Sequence, residues 1–194
     1  MKSIHKANFF DDNTFKKIKN CVFEKIESLG LSYGKEFKRY YRVVFLPEDV
    51  QDILLQKARK ETKDESLEVV YTQIVKYKIK DGDVPELRKH KDVVTGEWVM
   101  DIVIDSTVDW PLVVEGETFK NSINSVSFIK GEDELHWRPD FPSTNEDDYL
   151  LLLFVHLANK DSEYYRISRQ IFSMKENTLN SFLKTVQPSW SKPY

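Results

Sequence analysis

The sequence predicts a mainly β fold, a jelly roll flanked by N-terminal α-helices, and three observations predict it. Apolar residues recur at helical spacing in the first third of the chain; β-branched and aromatic segments take over after Ser66; those segments are short and parted by turn signals every ten or so residues. The chain has 194 residues, 40% of them hydrophobic and 13% aromatic, which is enough for one sizeable core and too short for two ordinary domains. A single domain over 1–194 is expected, with 1–65 as helical support, 66–160 as the jelly-roll core and 161–194 as a C-terminal extension.

From Asp12, Phe15, Ile18, Val22, Phe23, Ile26 and Leu29 follow helical spacing; Asp12 or Asn13 can cap the start and Gly30 can end it. A second helix is expected from Pro47, with Val50, Ile53, Leu54 and Ala58 as its apolar stripe, before the charged run 57–63, read as a solvated face. The run Val69 to Ile79 reads as a strand closed by the turn signal Asp81-Gly82-Asp83. Further strands are expected at Trp98 to Ile104, Leu112 to Glu115, Val126 to Ile129, Leu135 to Arg138 and Tyr149 to Ala158. Thr95-Gly96, Glu115-Gly116, Lys130-Gly131 and Pro142-Ser143 lie between them. A last helix is expected from about Asn177, with Leu179, Phe182, Leu183 and Val186 inward, before the tail Pro188 to Tyr194.

Charge and cysteine content narrow the function classes. Lys and Arg number 29 against 32 Asp and Glu, a formal net charge of −3, so no bulk attraction to nucleic acid or to an anionic membrane is implied. The lone cysteine, Cys21, rules out an intramolecular disulfide framework and a cysteine zinc finger; it fits a reducing compartment, and a cytoplasmic location is expected. Cys21 sits among helix-core positions and reads as an inert buried thiol. The first residues lack the apolar run of a secretory signal, and the longest apolar stretch, Leu150 to Val155, is far short of a membrane span, so a soluble protein is expected.

The triplet His90-Lys91-Asp92 carries the candidate chemistry. In extended backbone, residues i and i+2 share a face about 6 to 7 Å apart, so an imidazole and a carboxylate can converge on one ion. A second imidazole from a neighbouring strand, with His136 as the candidate, completes the facial triad of two His and one carboxylate that holds non-haem Fe(II) and leaves positions open. The bland alternative is a loop histidine bonded to a surface carboxylate.

The context resembles the Fe(II)- and 2-oxoglutarate-dependent oxygenase superfamily from the first helix to Ala158. Gln73-Ile74-Val75-Lys76-Tyr77, then Gly82 and His90-Lys91-Asp92, look like its tyrosine strand, turn and first two iron ligands. Trp110-Pro111-Leu112-Val113-Val114-Glu115-Gly116 looks like its next strand pair. Leu135-His136-Trp137-Arg138 is similar to the distal-histidine strand of a prolyl-hydroxylase-like subgroup, and Tyr149 to Ala158 resembles the closing strand.

The resemblance implies a double-stranded β-helix, a cupin-like jelly roll. It also implies Fe(II), O2 and 2-oxoglutarate, the last held through its 1-carboxylate and keto oxygen on iron and its 5-carboxylate on a basic residue. Many members carry that base at the start of the closing strand, but here Asn145-Glu146-Asp147-Asp148 is acidic. Arg138, on the strand face of His136, is the expected replacement, with Lys120 second and Tyr77 or Tyr71 as hydroxyl donor. The alternative for Arg138 is a salt bridge to Asp140 or Glu134. His156 reads as a hydrogen-bonded core histidine in preference to a cosubstrate contact, His5 as a surface residue and Trp137 as a packing residue. Arg166-Ile167-Ser168 copies a cosubstrate signature but falls beyond the closing strand and is discounted.

The expected activity is oxidation, as a hydroxylase, of a small molecule or a peptidyl side chain, coupled to conversion of 2-oxoglutarate to succinate and CO2. The alternatives are a non-catalytic jelly-roll binding module and a cupin-type metalloenzyme that does not use 2-oxoglutarate.

Overall fold

A computed structural model describes residues 2–92, 97–163, 165 and 166. Helix α1 (Asp12–Leu29) starts one residue later than its cap, which is Asp11 and not the expected Asp12 or Asn13. Asp11 is extended, so its carboxylate can turn back and accept from the Thr14 backbone N at 3.0 Å and from Thr14 Oγ1 at 2.7 Å. Gly30, at φ 66°, ends the helix as expected. Helix α2 (Glu48–Thr62) follows Pro47 and carries Glu48 and Asp49 in its first turn and Arg59 and Lys60 in its last, each suited to the helix dipole.

The strands are β1 (Ile4–Lys6), β2 (Ser32–Gly34), β3 (Arg39–Val44), β4 (Leu67–Lys78), β5 (Trp98–Ser106), β6 (Leu112–Val114), β7 (Glu117–Phe119), β8 (Val126–Ile129), β9 (His136–Trp137) and β10 (Tyr149–Asn159). Among the described residues they form a seven-stranded antiparallel sheet, ordered β1-β8-β5-β10-β4-β3-β2, and a three-stranded one, β7-β6-β9. The described residues are therefore mainly β with two α-helices. Strands β1, β2, β3 and β7 go beyond the sequence expectation: all but β3 are three residues long, β2 and β7 pair in short hairpins with β3 and β6, and β1 and β3 join the large sheet through β8 and β4, distant in sequence. The N-terminal 65 residues thus supply three strands of the large sheet besides both helices. The helix expected from Asn177, the tail after it, the Thr95-Gly96 turn and Ile167-Ser168 lie outside the described residues.

Strand periodicity explains how the site is built. In β10, Leu151, Leu153, Val155 and Leu157 point to the face where Ile18 and Val22 of α1 and Leu54 and Ala58 of α2 form the main core. Leu150 and Leu152 point the other way and pack with Val75, Tyr77, Val103, Trp110 and Phe141. Ile129 of β8 packs with Leu112, Val114 and Phe119 of the small sheet, which closes that side over the large sheet. The β6–β7 hairpin turns at Glu115 (φ 49°) and Gly116 (φ 85°), both left-handed, as a two-residue turn requires. Among the described residues, no helix is long and apolar enough to cross a membrane.

Candidate metal centre

After β4 the chain reverses at Asp81 (φ 51°) and Gly82 (φ 85°) and runs to the edge of the small sheet. There His90 and His136 form an isolated antiparallel bridge: His90 N donates to His136 O at 3.1 Å, and His136 N to His90 O at 2.9 Å. Directly opposed residues share a face, so the two imidazoles meet, with centroids 4.2 Å apart. Asp92, two residues on, points the same way and is pinned by its N–H to Gly131 O at 2.7 Å. Its Oδ1 lies 3.5 Å from His90 Nε2 and 3.7 Å from His136 Nε2. One ligand atom from each residue falls within 4.8 Å of the others.

The ring orientation sets the chemistry. His90 Nδ1 bonds the Arg88 carbonyl at 2.7 Å and His136 Nδ1 the Glu134 carbonyl at 3.0 Å. A carbonyl only accepts, so each Nδ1 carries a proton, and Nε2 is the ring atom that each histidine turns toward Asp92. Burial holds the His136 imidazole below the ordinary histidine range, against the opposing pull of Asp92. Burial disfavours the Asp92 carboxylate, but the charges of His136 and His90 and the His90 hydrogen bond outweigh it and hold the carboxyl well below the usual range. Two neutral nitrogen donors and one ionised oxygen are the form in which such residues bind a metal.

Gly131 matters to this geometry. A Cβ there would sit 2.8 Å from Asp92 Cβ and overlap its carboxylate. Gly131→Ala should therefore displace Asp92 and weaken Fe(II) or Mn(II) binding at least tenfold, read by metal titration, while the far-UV spectrum stays that of the parent. Unchanged affinity would show that the Asp92 position is not set by Gly131.

A cavity of about 260 Å³ opens beside the triad. Both expected tyrosines, Tyr71 and Tyr77, are in its wall, as are Arg39, Gln73, Asp101 and His156. Arg138 is buried behind that wall: its Nη1 donates to the Trp110 carbonyl at 2.6 Å and its Nη2 to Asp101 Oδ2 at 3.1 Å. Its ion-pair partner is thus Asp101, not Asp140 or Glu134, because β5 and not the flanking loops faces it. Lys120 is exposed and off the cavity wall.

His156 departs from expectation in another way. It is buried and stacked on Tyr71 with centroids 4.0 Å apart, but neither ring nitrogen has a hydrogen-bond partner. His5, expected at the surface, is half-buried in β1, stacked on Phe119 at 5.2 Å with Nδ1 3.0 Å from Ser127 Oγ. Trp137, partly buried in the small sheet, carries the Lys89 ammonium 4.4 Å above its ring.

Burial pushes His156 down to about 4, the nearby Asp92 opposing and Arg39 adding to the effect. Above the unfolded histidine value of 6.5 the ring is neutral in both states. As pH falls from there toward 4, only the unfolded chain gains the proton, so stability is lost in that window. Metal-free protein should lose about 2 kcal/mol through His156 by pH 5. Asp101, raised by burial against the attraction of Arg138, acts in the opposite sense, so the comparison must be with a variant. His156→Phe should lose less stability than the parent between pH 7 and 5 in urea unfolding. Parallel losses would mean that His156 is protonated in the folded protein.

No protein-family model and no curated protein matches the chain. Solved structures do. The non-haem alpha ketoglutarate dependent carbocyclase SnoK from nogalamycin biosynthesis aligns at a TM-score of 0.63 and 12% identity, covering 80% of this chain and 78% of its own. The epimerase SnoN, in complex with Fe3+, alpha ketoglutarate and nogalamycin RO, aligns at 0.61 and 8% identity over 80% and 78%. A Pseudomonas putida prolyl-4-hydroxylase aligns at 0.58 and 9% identity over 79% and 91%. The chain shares its fold with these solved structures.

Proposed function

We propose that this protein is a non-haem Fe(II)- and 2-oxoglutarate-dependent oxygenase, with its two sheets as the walls of a double-stranded β-helix. The observation that carries the reading is the convergence of His90, Asp92 and His136, both Nε2 atoms turned toward the carboxylate. The donor set suits a divalent ion, and the buried, unpartnered Nε of Arg39 in the cavity wall suits an anionic cosubstrate. The fold supports the reading, since SnoN was crystallised with Fe3+ and alpha ketoglutarate.

His90, Asp92 and His136 would hold the metal and leave three of six octahedral positions open. The loaded site supplies O2-dependent oxidation of an unactivated C–H bond, with 2-oxoglutarate going to succinate and CO2. The chain's own part is to orient the ligands through the Arg88 and Glu134 carbonyls and to exclude water with Val99, Leu112, Ile129 and Phe154 in the wall. Hydroxylation of a small molecule or a peptidyl side chain is the outcome we assign. Asp92 takes the position that a halide would need, which speaks against halogenation. A cytoplasmic setting and a single domain accompany this reading.

Anaerobic loading with Fe(II) and 2-oxoglutarate, followed by O2, should release succinate in a metal-dependent way before any substrate is known. Metal binding without succinate release would instead support a cupin-type metalloenzyme that does not use 2-oxoglutarate. Absence of both would support a non-catalytic module.

A further inference from the structure

The guanidinium of Arg138 is already engaged by Asp101 and the Trp110 carbonyl, and of the ion pair it is Asp101 that lines the cavity. A ligand carboxylate approaching there meets like charge first. Arg39 offers the opposite. It stands in β3 opposite Tyr77, one residue beyond the Tyr40–Lys76 pair, and its guanidinium lies 5.1 Å from the Phe37 ring and 5.8 Å from the Tyr77 ring. Nη1 donates to Tyr77 Oη at 2.9 Å, which fixes the fork, while Nε is buried without a partner. Among the described residues Arg39 makes no ion pair. The other cavity arginine, Arg88, is paired with Glu86 at 2.8 Å and exposed. Because Tyr77 Oη accepts from Arg39, its own O–H remains to donate. Arg39, His156 and the triad residues His90, Asp92 and His136 all line the same cavity.

We propose that Arg39, with the Tyr77 hydroxyl, binds the distal carboxylate of 2-oxoglutarate, and that Arg138 serves Asp101. The inference rests on the oxygenase reading. A carboxylate accepts from Nε and a free Nη hydrogen of one guanidinium as a two-pronged pair, and it supplies the negative charge that Arg39 lacks in the protein alone. Arg39 lies outside the residues that the resemblance covers with a motif, and Arg39-Tyr40-Tyr41-Arg42 alternates as a strand only when its pairing with β4 is known.

Calorimetric titration of the anaerobic Mn(II) protein with 2-oxoglutarate and with 2-oxopentanoate, which keeps the 2-oxo acid end and chain length but lacks the distal carboxylate, tests this without turnover. The parent should prefer 2-oxoglutarate. Arg39→Gln should weaken 2-oxoglutarate roughly 30-fold or more and leave 2-oxopentanoate unchanged. Arg39→Lys, which keeps the charge and loses the fork, should fall between. The double variant Asp101→Leu/Arg138→Met should keep the preference. Retention of the full preference in both Arg39 variants, or its loss in the double variant alone, overturns the proposal and leaves the oxygenase reading standing. A parent that binds Mn(II) yet shows no preference overturns the 2-oxoglutarate reading itself, and this proposal with it.

Discussion

Replacing Asp92 by alanine should abolish Fe(II) retention and, with it, all Fe(II)-dependent release of succinate. Asp92 is the one anionic group among the three converging residues, and its Oδ1 stands 3.5 and 3.7 Å from the two Nε2 atoms. Without it two neutral imidazoles remain, and the loss should exceed the 10- to 100-fold that removal of an outer partner costs a metal site. His136→Ala should act alike, since His136 is buried and its Nε2 has no role but to face the same point. Asp92→Glu should keep residual binding with the carboxylate displaced, because the added methylene pushes it past the pair. Metal content after desalting, succinate release and the far-UV spectrum separate these effects from unfolding. Succinate release that persists equally in the parent and in the Asp92 and His136 variants would show that the triad is not the reaction centre.

What the sequence made legible follows a physical line. Leu150 to Val155 is recognisable because a strand buried on both faces is a continuous apolar run, and its two faces pack into two separate cores. The relation of His90 to Asp92 is equally local, a matter of period two. Their meeting with His136 depends on a bridge between residues 46 positions apart, which order along the chain suggests and only register settles. The partner of Arg138 is invisible for the same reason. Asp101 sits in the apolar run Trp98 to Ile104 at an inward position, and that lone carboxylate is a signal that something buried must answer it, without saying what. Arg39 and His5 are harder still, since each lies in a strand of the large sheet whose membership comes from β4 or β8 and not from its own residues.

The buried pair itself should dominate stability. Arg138→Met should cost about 3 to 5 kcal/mol, because it leaves the Asp101 carboxylate, 5% exposed, without a cation. Methionine keeps most of the apolar stem where the guanidinium carbon now lies 5.4 Å from the Trp110 ring, so the penalty reports mainly on charge. Burial already raises Asp101 to about 6 with Arg138 in place, and without the guanidinium it should rise further. A carboxyl raised in the folded state binds more protons there than in the unfolded chain over that window. The Arg138→Met penalty should therefore be full at pH 8 and shrink as pH falls through the folded value. Asp101→Leu alone strands the guanidinium and should be comparably costly, whereas Asp101→Leu/Arg138→Met removes both charges and should recover most of the loss. Urea unfolding of the four proteins at pH 8 closes the cycle. Additive losses in the double variant would mean that the two side chains contribute independently, and Arg138 would then be free to serve a ligand.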